Sequence, residues 1–585
     1  MRRQDCETRP TKLETGDSSR RHFLKMATLT AAAASSLHYA VADNVPATNA
    51  KLGGISLNYD DSSFFSWHPL DEMNAAGVDA WVDQFAGTQV DQLLFCLSSQ
   101  RSDVASQVRQ TAWDGYDPDK GLDQPLLAAV PDREFPGWPG GPNERQHIRN
   151  WIHAVWLLNH EGIDPYARWL ARCRKDSIKP WLSLRMNDVH FVDNPDHPIH
   201  SRFWKEHPEY RRDPQDKYNG QALDYGRPEV RAYNLAYIRE MVVRYDMDGF
   251  ELDWMRNPFH FKPGREEEGL SILTEFTSDV RDLLKQRERE LGHPIQLSAR
   301  VPVQLETARA LGFDVDAWVS RKLIDRLVVM PFLFTQFDMP IERWKQLLKG
   351  HDVLLEAGLM ISVVPYSGGL ALSHSLETAR GAAISFLDRG ADRIYLFNFF
   401  DAEPYGVTGE AYLNSAAGKA FHRVMQQLGS MTTMAGKSRR HVVSNDDTWA
   451  HGQTPVSVLP RDIGPGAKVQ FKIPTGPRPT NEQEVQVRLA VGPFETGNVR
   501  KWKVLVNGHD CRPLEFIPFP LPSRPSLAFK VPSEAMLGRG FNDVEIHNPS
   551  NTTSKLVWVE LAFSASHSEW PTSAIEVQQL DPEGC

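Results

Sequence analysis

Eight short apolar runs recur along the first two thirds of the chain: 54–59, 92–97, 180–186, 249–254, 295–301, 327–332, 359–364 and 393–399. Each is brief and rich in Val, Ile, Leu and aromatic residues, the pattern of a strand covered on both faces. Between them lie segments with apolar residues at helical spacing. The segment 228–245 begins on Pro228 and carries Val230, Tyr233, Leu235, Ile238, Met241 and Val242. Segments 270–291, 341–357 and 376–388 read the same way, the last running into Arg389-Gly390. Strand and helix alternating eight times predict an α/β fold, and a (β/α)8 TIM barrel over residues 51–430 is its simplest closed form. The stretch 98–179, with Pro136-Gly137-Trp138-Pro139-Gly140-Gly141 inside it, is expected to be a loop insertion over the barrel mouth.

Beyond residue 430 the helical period gives way to strand-like alternation. Runs at 467–473, 484–491, 501–506, 526–531, 542–546 and 555–563 are separated by turns such as Asn507-Gly508 and Gly538-Arg539-Gly540. They predict a C-terminal all-β sandwich, jelly-roll-like, over 441–565, serving as a structural cap or as a carbohydrate-binding module.

The N-terminal residues read as an address. Ser19-Arg20-Arg21-His22-Phe23-Leu24-Lys25 has the twin-arginine export pattern, followed by an Ala-rich apolar segment and Ala40-Val41-Ala42. We expect a signal peptide over 1–42, cleaved after Ala42, and a periplasmic or extracellular destination with no membrane attachment afterwards. The 585-residue chain carries a formal charge of −10. Removing the signal, with its seven basic and four acidic residues, takes this to −13. Such an acidic chain lacks the basic face that a nucleic-acid binder needs. Of the remaining cysteines, Cys96, Cys173, Cys511 and Cys585, no spacing suggests a disulfide framework or a metal site. The 16 Trp suit either a sugar-binding cleft or an ordinary core.

Candidate chemistry centres on the fourth run, Asp248-Gly249-Phe250-Glu251-Leu252-Asp253-Trp254. A strand sends residues i and i+2 to one face, so Glu251 and Asp253 project together at the carboxyl end of a barrel strand, where active sites sit. Paired carboxyls there suit hydrolysis of a glycosidic bond, one ionised and its neighbour holding a proton. Other strand ends offer supporting groups. The third gives Arg185, Asn187, Asp188 and His190, and the first Asn58, Asp60 and Asp61. The fifth gives Arg300, the seventh Tyr366, and the eighth Asn398 followed by Asp401 and Glu403. His190, His197 and His200 are irregularly spaced, and no metal or other cofactor is called for. The absence of G-x-S-x-G, P-loop and dinucleotide patterns removes esterase, nucleotide and hydride chemistry.

The run Ala222-Leu223-Asp224-Tyr225-Gly226-Arg227-Pro228-Glu229-Val230-Arg231, a helix, and then Arg244-Tyr245-Asp246-Met247-Asp248-Gly249-Phe250-Glu251-Leu252-Asp253 resembles the bacterial glycosyl-hydrolase-like ten family. That family has L-D-P-x-x-P-E-V-R, a helix, and R-Y-D-V-D-G-I-H-F-D-D. The strand is also similar to the D-G-F-R-I-D nucleophile strand of the α-amylase family. The resemblance implies a barrel enzyme acting on a polysaccharide or oligosaccharide, with Asp253 as nucleophile or transition-state stabiliser. It places Asp224 at the acidic position before the helix. Trp254 stands where the family has its second Asp, and Glu251 where the amylase strand has Arg. Glu251 is therefore the first choice of proton donor, and Arg185, Asn187, Asp188, His190, Asp224, Trp254, Arg300, Tyr366 and Asn398 are expected to bind substrate. The alternatives are a non-catalytic carbohydrate-binding protein on a degenerate barrel, and a polysaccharide lyase. Oligomeric state is not legible.

Overall fold

A computed structural model describes residues 54–98, 100–134, 143–369, 371–399, 414–454, 457–492, 501–514 and 527–565. The expected signal peptide, Trp138, Asp401, Glu403 and Cys585 lie outside the described residues.

Eight parallel strands close into a barrel: β1 (Ile55–Tyr59), β2 (Val90–Leu97), β3 (Lys179–Arg185), β4 (Gly249–Asp253), β5 (Gln296–Val301), β6 (Arg326–Val329), β7 (Leu354–Met360) and β8 (Arg393–Phe397). β8 pairs with β1 to complete the ring. Seven of the eight predicted runs fall on these strands. The seventh is displaced, because β7 carries Glu356 and Gly358 on its inward face and so does not read as apolar. Glu356 accepts a hydrogen bond from the Arg326 guanidinium at 2.7 Å, closing the amino end of the barrel with a buried ion pair. Above this floor the lumen is packed by Leu94, Trp181, Val328, Met330, Met360, Tyr395 and Phe397. Gly249 makes room for the Trp181 ring, which would lie 2.3 Å from an added Cβ. The helices form as their periodicity predicts, among them Pro228–Arg244, Glu266–Leu291 and Leu376–Asp388. The stretch expected as a loop insertion instead holds two helices, Glu144–His160 and Pro165–Lys175, each opened by a side-chain cap, Asn143 and Asp164.

The C-terminal strands form two antiparallel sheets. One joins β9 (Arg439–Val442), β10 (Arg461–Ile463), β12 (Val485–Gly492), β15 (Arg512–Pro513), β16 (Leu527–Val531) and β18 (Ser554–Phe563). The other joins β11 (Lys468–Pro474), β13 (Lys503–Val506), β14 (His509–Asp510) and β17 (Phe541–His547). Their inward residues, including Phe471, Val487, Leu489, Val504, Val544 and Leu561, make a second core. This is the predicted sandwich. β9 was not legible, because its Arg440 is buried only by virtue of an ion pair with Glu560 on β18.

The sandwich docks on the barrel through β9, which lies against the helix Leu376–Asp388. Gly381 allows this, since an added Cβ would lie 1.9 Å from the Arg440 carbonyl oxygen. The connection leaving β9 adds a staple. The Asp447 carboxylate accepts the backbone N–H groups of Phe332, Leu333 and Phe334, just past β6, at 2.8, 2.6 and 3.0 Å. Asp447→Ala should strand these donors and lower unfolding stability by about 2–4 kcal/mol in chemical denaturation. A change below about 0.5 kcal/mol would show that the staple contributes nothing net.

Candidate active site

The site is built where β3, β4 and β5 end. Strand register sets Ser183, Glu251 and Ser298 side by side, and two residues on it sets Arg185, Asp253 and Arg300 side by side. Alternation sends both rows into the barrel. The expected convergence of Glu251 and Asp253 is therefore present, but the two carboxyls occupy different layers.

Asp253 lies in the upper row, nearer the carboxyl end, and is fully buried. Its Oδ1 accepts three hydrogen bonds, from Arg300 Nε at 2.7 Å and from the backbone N–H groups of Met255 and Arg256 at 2.9 and 3.1 Å. Its Oδ2 has no hydrogen-bond partner among the described residues. Arg300 is equally buried, with its guanidinium carbon 3.9 Å from the Phe397 ring centroid. Its Nη1 reaches Met330 Sδ at 3.3 Å, and its Nη2 is also without a partner among the described residues.

Glu251 lies one layer deeper. Its Oε1 accepts from Tyr395 OH at 2.7 Å, Ser183 Oγ at 2.8 Å and Asn58 Nδ2 at 2.9 Å, while Ser298 Oγ approaches Oε2 at 3.4 Å. Burial, and after it the charge of Asp253, push the Glu251 carboxyl up to about 7, only partly offset by Arg300, Tyr395 and Ser183. Glu251 thus holds a proton where an exposed glutamate would not, but neighbours from four strands enclose it. Glu251 and Asp253 are both fully buried, with Glu251 in the deeper layer.

A second polar group surrounds Asp253. Arg185 pairs with Asp60 just beyond β1, and its Nη1 lies 3.7 Å from Asp188. Asp188 Oδ1 accepts both the backbone N–H and Nδ1–H of His190, at 2.8 and 2.7 Å. His190 Nε2 in turn meets the Arg256 guanidinium. Burial alone would raise the Asp188 carboxyl, but His190, Arg256 and Arg185 outweigh it and hold it well below the usual carboxylate range. Asp103, on the connection after β2, is the other carboxyl displaced upward near this cluster. Burial and the neighbouring Asp60 charge push it to about 7.

The remaining expected residues are placed elsewhere. Trp254 is fully buried on the outer side of β4, edge-on to Tyr225 and His260 with ring centroids at 5.3 and 4.9 Å. It is a core residue and presents no face for a sugar. Asn187 is a structural clamp: its Oδ1 accepts Leu223 N–H at 2.8 Å and its Nδ2 donates to Leu223 O at 2.9 Å. Asp224 caps its own turn through the Gly226 N–H at 2.9 Å, and burial raises its carboxyl. Tyr366 packs where the barrel and sandwich cores meet. Asn398 holds a left-handed φ of 56° directly after β8, with its Oδ1 buried and without a partner among the described residues. His197 and His200 are stacked on Phe191 and Trp204, and burial holds both imidazoles below their ordinary value. Asp61 opens the short helix Asp61–Trp67. Arg256 and Asp103 escaped sequence reading because both sit in connections, where periodicity carries no signal. Among the described residues, no cluster of His, Cys, Asp and Glu has the arrangement of a metal site, and no helix is long and apolar enough to cross a membrane.

No protein-family model matches the chain, and no curated protein matches it. Among solved structures, it is similar to chitinase ChiW from Paenibacillus sp. str. FPU-7, at 10% identity and a TM-score of 0.36, covering 86% of this chain and 52% of that one. It is similar to a GH138 enzyme targeting pectin rhamnogalacturonan II, at 11% identity and a TM-score of 0.35, covering 66% and 40%. A third is chitinase ChiA74 from Bacillus thuringiensis, at 10% identity and a TM-score of 0.34, covering 87% and 100%. The chain spans about half the length of the first two.

Proposed function

We propose that the chain is a glycoside hydrolase, exported by the twin-arginine route, whose reacting carboxylate is Asp253. The observation that carries this reading is a pair of buried polar atoms at the end of β4 and β5, Asp253 Oδ2 and Arg300 Nη2, without hydrogen-bond partners among the described residues. Buried polar atoms without partners are costly, and at the carboxyl end of a barrel they mark where a polar ligand completes the hydrogen bonding. A carboxylate fixed by three donors on one oxygen, with its other oxygen unpartnered among the described residues, suits attack on, or stabilisation of, a developing sugar cation. The Glu251 carboxyl beneath it, pushed up by burial and by the charge of Asp253, avoids a second charge directly below. Glu251, enclosed beneath, is a positioning residue kept neutral below about pH 7, so that no second charge faces Asp253 from the deeper layer. Asp103, buried within the field of Asp60 and Arg185 and raised to about 7, is an alternative to Glu251 as proton donor.

A screen of the chain lacking residues 1–42 against a polysaccharide panel tests the reading. New reducing ends without absorbance from an unsaturated bond are expected, and Asp103→Asn should cut turnover by about 10²-fold or more. Products with an unsaturated bond would instead establish a lyase. Glycan binding without turnover on any member would establish the non-catalytic alternative.

A further inference from the structure

The segment leaving β9, residues 443–453, touches the carboxyl ends of three neighbouring barrel strands. Beyond β5, Thr307 Oγ1 donates to Gln453 Oε1 at 2.9 Å. Beyond β6, Phe337 N–H donates to Ser444 Oγ at 3.0 Å, and Asp447 takes the N–H groups of Phe332, Leu333 and Phe334. Beyond β7, Asn445 N–H donates to Val364 O at 3.0 Å. The sandwich therefore reaches the end of the barrel where Asp253 lies, on the side of β5, the strand that carries Arg300.

The contact with Asp447 is the most demanding of these. Three successive N–H groups turned to one point create a positive potential that needs an anion. The connection from the sandwich supplies it, and a local turn aims it: Thr448 Oγ1 donates to Asp447 Oδ1 at 2.9 Å, and Thr448 N–H to Asp446 Oδ1 at 3.2 Å. Pro331 links the held residues to Met330, and a proline fixes its own φ and restricts the residue before it. The link is therefore stiff. Met330 is fully buried and packs directly over Gly358, where an added Cβ would lie 2.3 Å from Met330 Cβ. A side chain packed this closely passes a shift on to its neighbours. Its sulfur accepts from Arg300 Nη1 at 3.3 Å, and Arg300 Nε holds Asp253 Oδ1 at 2.7 Å.

We propose that Asp447 is a positioning residue of the Asp253 site: by holding the start of the connection after β6 it keeps Met330 against Arg300, and through Arg300 it orients the Asp253 carboxylate. Resting on the assignment of Asp253 as the reacting group, this makes the sandwich a working part of the site.

The alternative is that Asp447 merely fastens one domain to the other, and Arg380→Ala is the control for that. Arg380 sits at the same junction, donating to Ser438 O and Gln427 Oε1 at 3.0 Å each, with no hydrogen bond to the connection after β6 among the described residues. Both variants are made in the chain lacking residues 1–42 and compared where circular dichroism shows them folded. Labelling the methionine methyl groups with carbon-13 gives the first readout, with the Met330 signal assigned through Met330→Leu. Asp447→Ala should displace or broaden that signal, and Arg380→Ala should leave it in place. The second readout is turnover of the glycan found by the polysaccharide screen. Asp447→Ala should lower kcat about tenfold with KM changed less than about threefold, the mark of disturbed geometry at the reacting group. Asp447→Asn, which keeps an acceptor oxygen, should recover part of the loss, and it carries both readouts if the alanine variant does not fold. An unmoved Met330 signal, an unchanged kcat, or equal effects in Arg380→Ala overturns the inference and leaves Asp253 in its role. If no glycan is hydrolysed, the hydrolase reading falls, and the Met330 signal alone decides whether Asp447 acts on Arg300.

Discussion

Asp253→Asn should lower kcat/KM on the chain's glycan by about 10³-fold or more, in line with loss of a reacting carboxylate. Asparagine keeps the size of the side chain and an oxygen able to accept from Arg300 Nε, but it removes the charge that a developing sugar cation needs. The structure adds a cost that the sequence did not reveal. Asp253 is the counter-ion of a fully buried Arg300, and removing one partner of such a pair typically destabilises by about 3–5 kcal/mol. Because asparagine still accepts one hydrogen bond, a loss of about 2–4 kcal/mol is expected in denaturant unfolding. Activity must therefore be read at a temperature where the variant remains folded. The double variant Asp253→Asn with Arg300→Met separates the two roles, since it should regain stability without regaining turnover. Full activity in the folded single variant would remove Asp253 from the reaction, and recovery of activity in the double variant would reduce it to a structural ion.

Much of this arrangement was legible. Strands covered on both faces betray themselves as short apolar runs, and period-two alternation was enough to pair Glu251 with Asp253. The same alternation also sends Trp254 to the opposite face, so its place in the outer core follows from the sequence despite its nearness to the carboxylates. β7 was displaced for a physical reason. Glu356 is tolerated inside the barrel only because Arg326 meets it there, and no run-based reading anticipates a buried ion pair. The same holds for β9, where Arg440 depends on Glu560 across the sheet. Arg185 and Arg300 could be named because strand ends are predictable positions. Asn58 could be named on the same ground, but its meeting with Ser183 and Tyr395 in one cradle could not, since it depends on barrel closure between residues more than a hundred positions apart; Arg256 and Asp103 lie in connections without a periodic signal. The depth difference between Glu251 and Asp253 likewise follows from closure, because the cradle comes from β1, β3 and β8 together.

That depth difference makes Glu251→Gln the most discriminating test of how the two carboxyls divide their work. Glutamate titrates near 4.5 when exposed, and near 7 in the folded barrel. Between those values the folded chain binds more protons than the unfolded chain at this position, so stability falls as pH rises. The contribution is complete below about 4.5, declines through about 7, and is lost above it. At 1.36 kcal/mol per unit the whole difference is about 3 kcal/mol. Glutamine keeps an oxygen for Asn58, Ser183 and Tyr395 and offers an N–H to Ser298, yet it never ionises. Glu251→Gln should therefore match the unaltered chain near pH 5 and exceed its stability by about 3 kcal/mol near pH 8, flattening that part of the pH–stability curve. Glu251→Ala should instead cost about 3–5 kcal/mol at pH 5, through a cavity and three stranded donors. A pH-independent gap between glutamate and glutamine would mean that Glu251 is ionised throughout, and its role as a neutral positioning residue would fall. Activity completes the test. A neutral positioning residue survives the change to glutamine with less than about a tenfold loss, whereas a general acid loses about 10²-fold or more. A loss as deep as that of Asp253→Asn would return the proton to Glu251 and take it from Asp103.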